Sequence, residues 1–190
     1  MDMSMILIIV GAVVLVGCYM AYVSVIQKKN KVLEAFSSID VQLKKRYDLI
    51  PNILTIANKF MEHEKGLFEE VTKLRTQALS LPADMDNMSK KIELDSKIKG
   101  LMGQIMVSVE NYPQLKSDQT MVTAMQTYNE VEEHIAAARR FYNSAVLELN
   151  NAVEIFPSSI FAGMVGAKKQ EFFQAEEQAK QPINASAYFN

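Results

Sequence analysis

A chain of 190 residues with 12 Met, 7 Gly and no Trp suits one helical domain plus a short appendage, not a sandwich or barrel, which needs many glycine-rich turns. A formal net charge of −2 gives no nucleic-acid footprint. With 1 Cys and 2 His, an intrachain disulfide and a thiolate metal cage are excluded, and a metal site would fall to carboxylates.

Residues 5–26 read MILIIVGAVVLVGCYMAYVSVI, without a charge. At ~1.5 Å rise per residue they span roughly 30 Å, the hydrocarbon thickness of a bilayer. A buried core helix is a poor alternative, because the run is long for so small a domain. A cleaved signal peptide needs a basic start, and only Asp2 precedes the run. Leu15-Val16-Gly17-Cys18 has the form of a lipobox, in which Cys18 would be acylated and become the new N-terminus. The apolar run nevertheless continues past it to Ile26. The expectation is an uncleaved transmembrane anchor over 5–26. The alternative is an exported lipoprotein, acylated at Cys18, with a periplasmic or extracellular bundle.

Lys28, Lys29 and Lys31 follow the run, and basic residues beside a span stay on the cytoplasmic side. This places residues 1–4 outside and a helical bundle, 27–157, in the cytoplasm. The basic flank is drawn to anionic headgroups at about 1 kcal/mol per residue. Between 34 and 52 the apolar positions Phe36, Ile39, Leu43, Tyr47 and Ile50 advance in steps of three and four, one face of a helix. No Gly or Pro separates this face from the span, so one helix is expected from about residue 4 to about 62. Pro51 removes an intrahelical bond and should kink that helix near 49–52. The register continues through Leu54, Ala57, Phe60 and Met61.

The pattern weakens at Glu62-His63-Glu64-Lys65-Gly66. Leu67, Val71, Leu74 and Ala78 form a second stripe, and the turn chemistry of 81–87 makes a loop. A third helix is expected over about 88–111, with Ile92, Ile98, Leu101, Ile105 and Val109 inward. Tyr112-Pro113 ends it. Ser117 or Asp118 caps a fourth helix, striped by Met121, Met125, Tyr128, Ile135, Tyr142 and Leu149. Alanines 136–138 allow close helix approach, and Pro157 stops the helix at Phe156. The segment 158–190 holds an apolar piece, 160–166, the pair Phe172-Phe173, and a polar tail expected to be loosely ordered. Helical continuation through 62–66 would give three helices. Reversal there gives an all-α, up-down antiparallel bundle of four long helices, which is the expected fold. Its fourth helix would bring 160–166 and Phe172-Phe173 to the bilayer surface.

The chain offers little catalytic chemistry. A di-iron bundle needs Glu-x-x-His on two helices, but Phe60 and Val131 stand three residues before His63 and His134. There is no glycine-rich phosphate loop and no Gly-x-Ser-x-Gly, and Cys18 sits inside the span, far from either histidine. No enzymatic activity, metal or cofactor is therefore expected. The polar residues Asp40, Arg46, Asp48, Arg139, Arg140, Tyr142 and Asn143 remain as candidate inter-helix or partner contacts. Three readings are open for them: a solvated helix face, ion pairs that bridge the first and fourth helices and fix register, or a partner surface. A buried ionic network can specify a structure without adding net stability.

Several stretches together carry a family resemblance. IDVQLKKRYDLIPN (39–52), HEK (63–65) with EEVTKLR (69–75), NYPQLK (111–116), IAAARRFYNSAV (135–146) and FPSSIFAGM (156–164) resemble, in order, the signature blocks of the LemA family. The likeness covers essentially residues 20–175. It implies a bacterial cytoplasmic-membrane protein whose soluble part is a bundle of long antiparallel helices, with no established enzymatic activity. Members of the family often accompany membrane proteases, and a LemA-type domain occurs among magnetosome-membrane proteins. Some members close their apolar segment at a lipobox Cys just before a Tyr-Asn pair. Here Tyr22 takes the tyrosine's place, Val23 replaces the Asn, and Cys18 lies farther upstream. The expected role is a non-enzymatic scaffold or adaptor. The expected partners are the lipid bilayer, a membrane protein such as a membrane protease, and a second copy of the chain; nucleic acid is not among them.

Overall fold

Residues 2–173 are described in a computed structural model and, among them, all regular structure is helical. Helix α1 (Met3–Ala57) is followed by a 3-10 turn (Glu62–Glu64), α2 (Lys65–Ser80), α3 (Met88–Val109), α4 (Pro113–Lys116), α5 (Gln119–Glu154) and α6 (Ser158–Met164). The polar tail expected to be loose lies outside the described residues.

Helix α1 ends at Ala57, five residues before the expected end at 62, and the chain turns back through the 3-10 turn. The helix runs without a break through Pro51. Pro51 has no N–H to donate to the carbonyl of Tyr47, four residues earlier. Arg75 Nε on α2 donates to that carbonyl at 2.6 Å instead. A donor from the neighbouring helix thus replaces the missing helical one, and the proline costs α1 no unsatisfied carbonyl.

The chain divides into two compact units. One is Leu33–Phe141; the other combines Met1–Val32 with Tyr142–Asn190. In the first, cross-helix pairs give the directions. Tyr47–Arg75 joins α1 and α2 at equal steps either side of the reversal, so the two are antiparallel. Asp40–Lys91 and Arg46–Asp95 both advance along α1 and α3, which are parallel. Asp95–Arg139 and Lys99–Glu132 run in opposite senses on α3 and α5, which are antiparallel. The result is an up-down bundle of four helices, and the three-helix alternative is not adopted.

The stripes form its core. Phe36, Ile39, Leu43, Tyr47, Ile50 and Ile53 of α1 are buried, with Phe68 and Val71 of α2 and Leu94, Ile98, Met102 and Ile105 of α3. Leu67, Ile92 and Leu101, expected inward, are only half-buried. Phe68, Leu94 and Met102 are buried in their stead, while Val71, Ala78, Ile98, Ile105 and Val109 lie inward as expected.

In the second unit, Val25 of α1, Ala152 of α5 and Ala162 of α6 pack together, with Val153, Phe161 and Val165 against them. From Asp2 to Met20 every residue is exposed. Helix α1 is long and apolar enough to cross a membrane, and none of its most apolar 18-residue window is covered by the other described residues.

Candidate functional site: a buried ionic cluster

Arg46 lies on the apolar face of α1, three residues after Leu43 and four before Ile50, and is fully buried. A guanidinium there must be paired, since an uncompensated charge away from water is strongly unfavourable. Helix α3 supplies the partner. Its inward stripe reads Lys91, Leu94, Asp95, Ile98 and Met102, and Asp95 is 1% exposed. Arg46 Nη1 meets Asp95 Oδ1 at 2.5 Å. Helix α5 closes the group: Glu132 pairs with Arg46 Nη2, and Arg139 Nη2 donates to Asp95 Oδ2 at 3.0 Å. Asp95 thus receives one cation from α1 and another from α5, one on each oxygen.

The cluster extends at both ends. Lys91 donates to Asp40 Oδ1 at 2.5 Å. Lys99 Nζ lies 2.9 Å from Glu132 Oε1. The Arg46 guanidinium carbon lies 5.7 Å from the centre of the Tyr128 ring, a cation–π distance. Burial pushes the Tyr128 hydroxyl up to about 12; Arg46 opposes that rise and Asp95 adds to it. The Tyr47 hydroxyl is also pushed well above its ordinary value, chiefly by burial and then by Asp95. Neither hydroxyl has a hydrogen-bond partner among the described residues.

The candidate contacts read from the sequence separate into three groups. Asp40, Arg46 and Arg139 enter the cluster, and α3 rather than a direct α1–α5 bridge is its hub. Asp48 is exposed and lies 3.8 Å from Arg75 Nη2. Arg140 is exposed, and no described residue pairs with it. Tyr142 and Asn143 belong to the second unit and hold the segment that follows α6. Phe173 packs edge-on against Tyr142, with ring centroids 5.0 Å apart at 87°. Asn143 Nδ2 donates to the Phe173 carbonyl at 3.0 Å, and its Oδ1 accepts from the Phe173 N–H at 2.8 Å. Two helical turns on, Asn150 makes the same pair of bonds with Gln170, at 3.0 and 2.9 Å. Phe173 is therefore buried on α5, whereas the sequence reading placed it at a lipid surface.

Sequence reasoning passed over Lys91, Asp95, Lys99, Tyr128 and Glu132 as members of one cluster. A signal existed for two of them. Lys91 and Asp95 fall on the apolar stripe of α3, and a charge on such a stripe calls for a partner on a facing helix. Among the described residues no group of three His, Cys, Asp or Glu side chains is placed to hold a metal ion.

The LemA family profile matches residues 35–186. Protein LemA of Metamycoplasma hominis is 23% identical over 176 residues, covering 90% of this chain and 79% of that protein. Magnetosome protein MamQ 2 of Paramagnetospirillum magneticum is 23% identical over 169 residues, covering 77% of this chain. Magnetosome protein MamQ of Magnetospirillum gryphiswaldense is 20% identical over 169 residues. The chain spans 62% of the length of these two magnetosome proteins.

Proposed function

We propose that this chain, which belongs to the LemA family, is a membrane-anchored helical bundle that works as a scaffold or adaptor rather than as an enzyme. The observation that carries the reading is the sealing of the ionic cluster. Arg46 and Asp95 are 0% and 1% exposed. Their charges are met by each other and by Glu132 and Arg139 of α5, so this central pair is closed to a substrate. Such a cluster sets helix register, the best-attested use of buried ionic groups.

Anchoring rests on the apolar run of α1, which no other described residue covers from its start to Met20. The helix passes Cys18 without interruption. The charge on the flank favours a bundle on the cytoplasmic side of a bacterial cytoplasmic membrane: Lys28, Lys29 and Lys31 follow the run, and no basic residue precedes it. The partners we assign are the bilayer, a membrane protein such as a membrane protease, and a second copy of the chain. The family likeness, extended here by the magnetosome proteins, supports a role at membranes.

Crosslinking in intact cells tests this reading. The full-length protein, crosslinked and then purified from its own membranes, should carry one defined membrane-protein partner or a second copy of itself. Recovery of monomer alone would contradict it.

A further inference from the structure

The corner between α5 and α6 lies at the level where the apolar run of α1 ends. Lys31 of α1 pairs with Glu148 of α5 at 2.8 Å. Farther down α5, Ala152 packs with Val25. The two helices are therefore antiparallel here, and α5 descends toward the N-terminus of α1. Continued for one turn, that register carries Ile155 and Phe156 beside Tyr22. The burial pattern agrees, since cover on α1 begins at Ala21 and every residue from Asp2 to Met20 is exposed. The first charge after the run is Lys28. The corner thus reaches about four residues past Ile26 into the uncharged stretch, roughly 6 Å at the helical rise.

What the corner shows at that level is apolar. Helix α6 buries Ala162 and turns its opposite face outward. Phe156 is 76% exposed, Met164 72%, Ile155 58% and Ile160 56%. Ile160 and Met164 are four residues apart on one helix face. Cations surround the patch: Lys28 and Lys29 on α1, and Lys168 and Lys169 after α6. Lys29 Nζ lies 3.5 Å from the Val165 carbonyl and ties the end of α6 to α1. Lys169 pairs with Glu154 at the end of α5. This is the composition of a structure that lies in the headgroup region, its apolar side 5–10 Å deep and its cations at the phosphates.

We propose that the α5–α6 corner is a second membrane contact, in which Phe156, Ile160 and Met164 enter the interfacial layer of an anionic bilayer beside α1. The inference rests on the reading of 5–26 as a span. It adds that the chain meets the lipid surface at a second place besides the span. The segment after α6 leaves that surface. Phe173 packs on Tyr142, ten residues up α5 from Ala152, about 15 Å along the axis.

The test uses full-length Cys18→Ala protein in nanodiscs of phosphatidylcholine and phosphatidylglycerol. Single spin labels are placed at Leu15→Cys, Met164→Cys and Ser144→Cys. Each is scored for collision with oxygen, which concentrates in lipid, and with an aqueous nickel chelate. Met164 and Ser144 are both exposed, so neither label disturbs packing. The oxygen-to-nickel ratio at 164 should exceed that at 144 several-fold and fall below that at 15. A ratio at 164 equal to that at 144, with 15 still deep in lipid, overturns the corner contact and leaves the anchor standing. A label at 15 that meets the nickel chelate overturns both. A label at 164 shielded from both reagents, with disulfide crosslinks between copies of the unlabelled Met164→Cys protein, assigns the patch to a second chain and likewise overturns the lipid contact.

Discussion

Arg75 donates from Nε to the carbonyl of Tyr47, the carbonyl that Pro51 leaves without its helical donor. Two features that look unrelated in the sequence, a proline inside α1 and an arginine on α2, are thus halves of one device. Replacing Arg75 with Met should leave a carbonyl unsatisfied at a helix–helix interface and cost about 1–3 kcal/mol in urea unfolding. The same replacement on a Pro51→Ala background should cost less, because an alanine at that position restores the N–H. Equal costs in the two backgrounds would separate the arginine from the proline.

Removing one member of the Arg46–Asp95 pair leaves the other buried with a single partner, Arg139 for Asp95 and Glu132 for Arg46. Asp95→Ala should destabilise by about 3–5 kcal/mol, and Arg46→Met by a similar amount through Asp95. The double replacement Arg46→Met with Asp95→Leu should recover much of either loss, since it removes both charges and keeps apolar volume. Double-mutant additivity, read from denaturant midpoints, would show that the two are not coupled.

The Tyr128 hydroxyl is buried with no partner among the described residues. Tyr128→Phe should therefore be neutral or stabilising by up to about 1 kcal/mol at pH 7. A loss beyond about 1 kcal/mol would show that the hydroxyl has a partner. The pH response follows from the same burial. The folded value of about 12 lies above the ordinary 10.0, so the unfolded chain releases this proton first. The contribution of Tyr128 is whole below pH 10 and is lost as pH rises from about 10 to about 12, on the order of 2–3 kcal/mol in all. Urea midpoints across that range should fall less steeply for Tyr128→Phe than for the parent. Parallel slopes would contradict this.

Tyr142 is 1% exposed and stacks edge-on with Phe173. Tyr142→Ala should cost about 3–5 kcal/mol. A melting temperature unchanged within about one degree would remove the residue from the core. Asn143→Ala and Asn150→Ala should each strip protection from one backbone amide, that of Phe173 and of Gln170 respectively. Hydrogen exchange at those two amides reads this directly. Unchanged exchange would show that the asparagines do not hold the segment.

The helices were legible because their stripes are long. From Phe36 to Ile50, and from Met121 to Leu149, period and burial coincide. The reversal near residue 62 was legible as a weakening at Glu62 to Gly66. One helix carried through Pro51 was legible, but the side chain on α2 that serves the freed carbonyl was not, because spacing alone does not reveal such a donor. The cluster was half legible. Arg46 stood out as a cation, but it was counted among polar residues lying between the apolar positions. Its place three after Leu43 and four before Ile50 puts it on the apolar face. Asp95, three residues before Ile98, carried a signal of the same kind that was not followed. The asparagines of α5 carry no periodic signal, because their partners are backbone groups of an extended segment.

The central claim is that the bundle is held on the cytoplasmic face by an uncleaved span, and cysteine topology in intact cells tests it most directly. Ser144 is exposed on α5, and a Ser144→Cys variant that retains Cys18 offers one water-facing thiol. A membrane-impermeant maleimide should fail to label it in intact cells and label it after permeabilisation, and the intact mass should begin at Met1. Labelling in intact cells, or a mass that begins at a lipid-bearing Cys18, would place the bundle outside and contradict the account.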